Sequence, residues 1–273
     1  MSLIKATWAL YRDAAVATGK ALPRSGVALL FLVLGACAEM ILGVVVMPMG
    51  LAGGFILGLF DAFLCAWYLA LLRILVVGNR KLMMSDLRET MGDHFGEVIT
   101  ISFLFGIAQL VLTFVSLPLV FVYVPIVALL FNPAPEVVYQ DDRLSLDSIR
   151  RSLEFMQENW PEWMAGHVLL FAAMGSVVYA VLAAPLAASE SAFISAGGAF
   201  GITVAYLAGL YGPFFGFMGL GPMGISLLAA GTSGLIVSVV LFVCSHLVMV
   251  FRGQLYKKLS RSSRRGRAWQ ARM

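Results

Sequence analysis

Six long apolar runs separated by polar stretches organise the chain: Gly26–Val46, Gly54–Val77, Val98–Leu117, Leu119–Val138, Met164–Ala187 and Thr232–Phe251. Each approaches or exceeds the roughly 20 residues with which an α-helix crosses a hydrocarbon core of about 30 Å. A segment in lipid must satisfy its own backbone groups, so runs of this length predict helices. The expected fold is all-α: a single transmembrane bundle over 26–251 with spans near 26–46, 54–77, 98–117, 119–138, 164–187 and 232–251. The turn Met47–Gly53 is short and holds Pro48, which makes the first two spans antiparallel neighbours. Pro118 marks a tight connection, and Pro125, Pro133 and Pro135 interrupt the fourth span. Residues 188–231 are apolar but rich in glycine and broken by Pro213 and Pro222. They read as an outer-leaflet or re-entrant segment, since two complete spans with turns fit there only tightly.

The polar stretches carry a second pattern. Within residues 1–25, Ile4, Trp8, Tyr11 and Ala15 share one helical face, with Lys5, Arg12, Asp13 and Lys20 off it. This predicts an amphipathic helix lying in the membrane interface. Leu146, Ile149, Leu153 and Met156 form a similar stripe in 140–163, followed by Trp160 and Trp163, residues suited to the headgroup zone. Asp86 and Glu89 fit a capping box that opens a short helix. Residues 252–273 form a basic tail.

Composition agrees with the bilayer as solvent. Of 273 residues, 60% are hydrophobic and 12% charged, with a mean hydropathy of +0.91. A soluble domain carries about a quarter charged residues. The net charge of +4 sits between apolar runs, so it points to topology and not to nucleic acid. With six spans and a cytosolic N-terminus, all nineteen Lys and Arg residues fall on the cytosolic side. The positive-inside rule then places both termini in the cytosol of a bacterial-type inner membrane. The other face keeps Glu190 as its one ionisable side chain. Cys37, Cys65 and Cys244 lie within apolar runs. They read as small packing residues, with no metal-ligand spacing and no disulfide framework. No cleavable signal peptide is expected from the N-terminal pattern.

Candidate chemistry is sparse. Glu39 lies eight residues before Met47 and Asp61 eight after Gly53, so both carboxyls belong at one depth, about 12 Å from the turn. Intramembrane ionisable groups are functional candidates by default. Two carboxyls at one depth could share a proton, bind a cation or hold a polar headgroup, or simply be neutral and bonded elsewhere. His167 and His246 sit just inside the ends of the fifth and last spans, where they could face each other or a lipid phosphate, or serve structure. Lys257, Lys258, Arg261, Arg264, Arg265 and Arg267 are candidates for anionic lipid headgroups. No zinc-protease, nucleophile-elbow or phosphate-loop motif is present, and no cofactor or metal is expected.

One element has a known likeness. Pro135-Glu136-Val137-Val138 leaves the apolar region, an acidic turn follows, and then comes Leu146-Asp147-Ser148-Ile149-Arg150-Arg151-Ser152-Leu153. This resembles the exit and "leucine–x–x–Ala–Leu–Arg–Arg–Ser–Trp" element of the six-helix membrane domain fused to bacterial glycerophosphodiester phosphodiesterases, and of its stand-alone relatives. Here Ser148-Ile149 replaces the alanine–leucine pair, and Leu153 replaces the tryptophan. The resemblance implies a fold and an inner-membrane location, and marks Pro135, Glu136, Arg150, Arg151 and Ser152. It does not imply hydrolysis, because the catalytic domain is absent.

These readings favour a non-enzymatic integral membrane protein that organises lipid or a membrane protein complex, or that forms a homo-oligomer. The alternative is a small transporter or channel for a lipid, hydrophobic solute or cation that uses Glu39 and Asp61. An intramembrane enzyme built on His167, His246 and Glu136 is a more distant third.

Overall fold

The computed structural model describes residues 3–141, 145–186 and 232–261, and these are helical with no strand among them. In chain order the helices are α1 (Leu3–Ala21), α2 (Gly26–Val46), α3 (Leu51–Leu72), α4 (Met84–Glu89), α5 (Phe95–Val115), α6 (Leu117–Leu130), α7 (Ala134–Asp141), α8 (Ser145–Leu186) and α9 (Thr232–Ser260). Among the described residues three helices are long and apolar enough to cross a membrane: Gly26–Val46, Leu51–Val77 and Phe95–Val115. The chain is therefore a helical membrane protein.

α2 and α3 form a hairpin through the 3₁₀ turn Met47–Met49. Gly50 takes a φ of 59° at this turn, a left-handed conformation open to glycine. At Gly53 a Cβ would strike the Val46 carbonyl, so only glycine lets the helices part so sharply. α3 ends in a π-helical turn, Arg73–Val77. α5 packs on α3 and α6, α8 on α9, and α1 along α9. One apolar core holds Phe31, Leu69, Leu72, Ile101 and Val248; a second, at the end where α9 runs toward the tail, holds Tyr11, Phe155, Trp163 and Leu255.

The structure redraws several expected elements. The fourth apolar run does not continue to Val138. α6 stops at Leu130, a turn follows, and α7 begins at Ala134. Pro133 and Pro135 account for the break, since proline lacks the N–H and disfavours helix in the preceding residue. The amphipathic segment and the fifth run instead form one continuous helix of 42 residues, α8. Of the apolar stripe, Met156 is buried, but most of the buried face is made by other residues. Ser148, Ser152, Phe155, Asn159 and Trp163 face inward, while Leu146 is exposed. In α1 the inward face is Tyr11, Ala14, Thr18 and Ala21, and Trp8 points outward at 63% exposure. Small residues let α1 approach α9 closely, a criterion that hydrophobicity alone does not register. Trp163 is fully buried, whereas Trp160 is exposed. Asp86 is the third residue of α4, not its cap; its carboxylate accepts the Met83 N–H at 2.7 Å. The segment 188–231 and Glu190 lie outside the described residues.

Candidate functional site

Two polar centres stand out. The first lies between α2 and α3. The tight hairpin turn sets Glu39 and Asp61 level and facing each other across one cavity. Both line a cavity of about 30 Å³ walled by Phe31, Leu32, Gly35, Leu64 and Phe242. A water needs roughly 10–15 Å³ by this measure, so the cavity has room for one or two. Glu39 is 8% exposed, and Asp61 Oδ1 is buried without a hydrogen-bond partner. No group of three or more metal-ligating side chains occurs among the described residues.

The second centre gathers the α6–α7 turn, α7, α8 and α9 at the tail end. Glu136 and Arg252 are 0% and 1% exposed and meet in a two-pronged ion pair. Arg252 Nε donates to Oε1 at 2.8 Å and Nη2 to Oε2 at 2.9 Å. Nη2 also donates to the Asn132 carbonyl at 2.6 Å, and Asn132 Oδ1 accepts the Trp163 indole N–H at 2.9 Å. The Trp163 ring lies 5.8 Å from the guanidinium, within cation–π range. Around this pair, the Tyr256 hydroxyl donates to Asp141 at 2.9 Å, and Arg151 Nε approaches the same oxygen at 3.3 Å. Burial and the Asp141 carboxylate push the Tyr256 hydroxyl well above its usual range. Burial, with Glu136 nearby, does the same to Tyr139. Gly253 permits the close approach of α9: a Cβ there would strike the Tyr139 hydroxyl and crowd Val76.

The sequence-marked residues thus divide. Glu39 and Asp61 come together. His167 and His246 bond to different groups, Nδ1 of His167 to the Trp163 carbonyl and Nδ1 of His246 to the Tyr68 hydroxyl, each at 2.7 Å. Of the family-like element, Pro135 and Glu136 are buried in α7, Arg151 joins Asp141, and Ser152 is buried on α8. Arg150 is exposed and pairs with Glu154 at 3.0 Å. In the tail, Lys257 Nζ donates to the Val76 carbonyl at 2.8 Å, closing an open end of the π-helical turn. Burial, then Arg261 and Lys258, lower its affinity for a proton. Arg261 is exposed, and Arg264, Arg265 and Arg267 lie outside the described residues.

Sequence reasoning missed Arg252, Asn132, Trp163, Asp141 and Tyr68 as partners. Arg252 read as the first basic residue of a tail, and its carboxylate is 116 residues away. A signal was present in that Glu136 lies within the last residues of its apolar run and Arg252 directly follows its own, which places both near one membrane boundary. Nearby, Asp86 accepts two bonds from Arg80, at 2.6 and 2.9 Å. The Arg80 guanidinium holds the Asp86 carboxyl below its usual range. Tyr11, whose hydroxyl donates to the Glu162 carbonyl, is pushed up to about 12, first by burial and then by the Glu162 charge.

Comparison with protein-family models, with curated proteins and with solved structures finds no match for this chain.

Proposed function

We propose that this chain is a non-enzymatic, six-span protein of a bacterial inner membrane, with both termini cytosolic, that organises lipid or a membrane protein complex. The carrying observation is how its tail-end polar groups are used. Glu136, Arg252, Asn132 and Trp163 bond in one chain and Tyr256 bonds to Asp141 beside it, which supports a rigid platform over an open catalytic arrangement. The surface offered to surroundings is apolar on α2, α5 and α6, with Val44, Phe103, Ile107, Phe114 and Val122 exposed. Exposed Trp8 beside Arg12 on α1 supports contact with anionic headgroups. The stand-alone relatives of the phosphodiesterase membrane domain are the family this reading fits. The test is native mass spectrometry of protein gently extracted from its own membrane. A stoichiometric lipid or protein partner is expected, and a bare monomer overturns the proposal.

The meeting of Glu39 and Asp61 at a cavity favours a second reading, a small transporter or channel. Glu39→Gln and Asp61→Asn should each abolish flux at normal expression. Wild-type flux in both would sink it.

A further inference from the structure

The face of α3 that carries Asp61 continues as a line of polar side chains. Asp61, Cys65 and Tyr68 recur at i, i+4 and i+7, which stacks them on one side of the helix. At one end Asp61 meets Glu39; at the other the Tyr68 hydroxyl meets His246 Nδ1 at 2.7 Å. Seven residues of helix set the two pairs about 10 Å apart along the axis. α9 touches both, since Phe242 walls the cavity and His246 follows it by one turn.

Two atoms on this line are buried without a hydrogen-bond partner, Asp61 Oδ1 and His246 Nε2. His246 is 0% exposed. An orphaned buried polar atom costs about 1–3 kcal/mol, and each such atom here stands next to a group that can pass a proton. Two carboxyls that line one small apolar cavity, moreover, favour holding at least one proton between them, because two like charges this close disfavour joint ionisation. The titratable groups facing the pair are Glu39 from α2, and Asp61 and Cys65 from α3; α9 contributes apolar Phe242. A divalent cation fits poorly, since Ca²⁺ takes six to eight oxygens and the rest of the wall is apolar.

We propose that Glu39 and Asp61 form a proton-binding site in the membrane interior, and that Tyr68 and His246 relay the proton between this site and the tail end of the bundle. The inference rests on the transport reading and names the carried species. A proton arriving on His246 Nε2 makes an imidazolium. Its Nδ1 proton passes to Tyr68 Oη, whose own hydroxyl proton leaves through water toward Asp61 Oδ1. Each group that gains a proton gives one up, so one proton moves and nothing is oxidised or reduced.

The test uses the full chain in liposomes and infrared spectroscopy. At neutral pH the wild type should show the carbonyl band of a protonated carboxylic acid, lost or displaced in Glu39→Gln and Asp61→Asn. After a pH jump, Tyr68→Phe and His246→Gln should keep that band but slow its change about a hundredfold, the scale of a positioned proton-transfer group. Tyr68→Phe preserves the ring, so the relay stays testable even if His246→Gln fails to fold. A wild type without the band, or a band indifferent to both carboxyl substitutions, overturns the site. Wild-type rates in Tyr68→Phe and in folded His246→Gln overturn the relay. A separate dye assay for net proton flux across the vesicle tests transport. Flux absent while the band and its kinetics behave as expected keeps the proton site and removes the transport reading.

Discussion

The tail-end centre and the α2–α3 centre both bury carboxylates, yet they treat them oppositely. Glu136 faces a guanidinium that meets both its oxygens, and Asn132 and Trp163 extend the contact. Unlike charges, held with matched donors, make a lock that joins the α6–α7 turn, α7, α8 and α9. Glu39 faces another carboxyl beside a cavity, with one Asp61 oxygen unmet. Like groups that share one small apolar cavity depend on a proton to coexist. The lesson is that burial of a charge does not by itself indicate a role. The partner does: a complementary ion fixes geometry, while a second acid leaves a titratable opening.

Breaking the lock should have the largest effect. Arg252→Met strands Glu136 in the core and should cost about 3–5 kcal/mol, whereas Glu136→Met with Arg252→Met together should recover most of it. Denaturant unfolding in detergent measures both; a double variant as weak as the single would contradict the lock. Next comes Gly253→Ala, where overpacking against Tyr139 and Val76 should cost about 1–3 kcal/mol in the same assay. Glu39→Gln should sharpen the contrast from the other side. An amide can still donate to Asp61 and strands no ion, so stability should change by less than about 1 kcal/mol. A loss as large as that of Arg252→Met would mean that the α2–α3 pair is also a lock.

The smallest effect is expected at Asp86, whose partner Arg80 is half exposed. The folded carboxyl has its pKa lowered, chiefly by the Arg80 hydrogen bond. Its contribution is therefore full above the unfolded value of about 3.9 and is lost as pH falls through and below it. Melting temperature followed against pH should show an acid-side decline that is shallower in Asp86→Asn. Identical acid limbs would show that the pair contributes nothing.

Much of the framework was legible in residue order. Apolar runs of membrane length made helices of 26–46, 51–77 and 95–115. The seven-residue turn with Pro48 made α2 and α3 neighbours, and equal spacing from that turn brought Glu39 and Asp61 level. These are local relations, in which helical rise and a short connection leave little freedom. Other features required the packed molecule. Hydrophobicity grouped Leu146, Ile149, Leu153 and Met156 on one stripe, and the structure buries Met156 from it together with Ser148, Ser152 and Asn159. Small and polar side chains there allow close approach to neighbouring helices, a benefit visible only with the neighbours in place.

What the sequence alone determined is the class of solvent, the helices that suit it and the contacts that a short turn enforces, because each depends on residues near one another in the chain. The tertiary structure alone decided that Arg252 closes on Glu136, that Tyr68 meets His246, and which face of α1 and α8 is buried. Those pairings span many residues, and their energy arises only when separate helices exclude lipid and water between them.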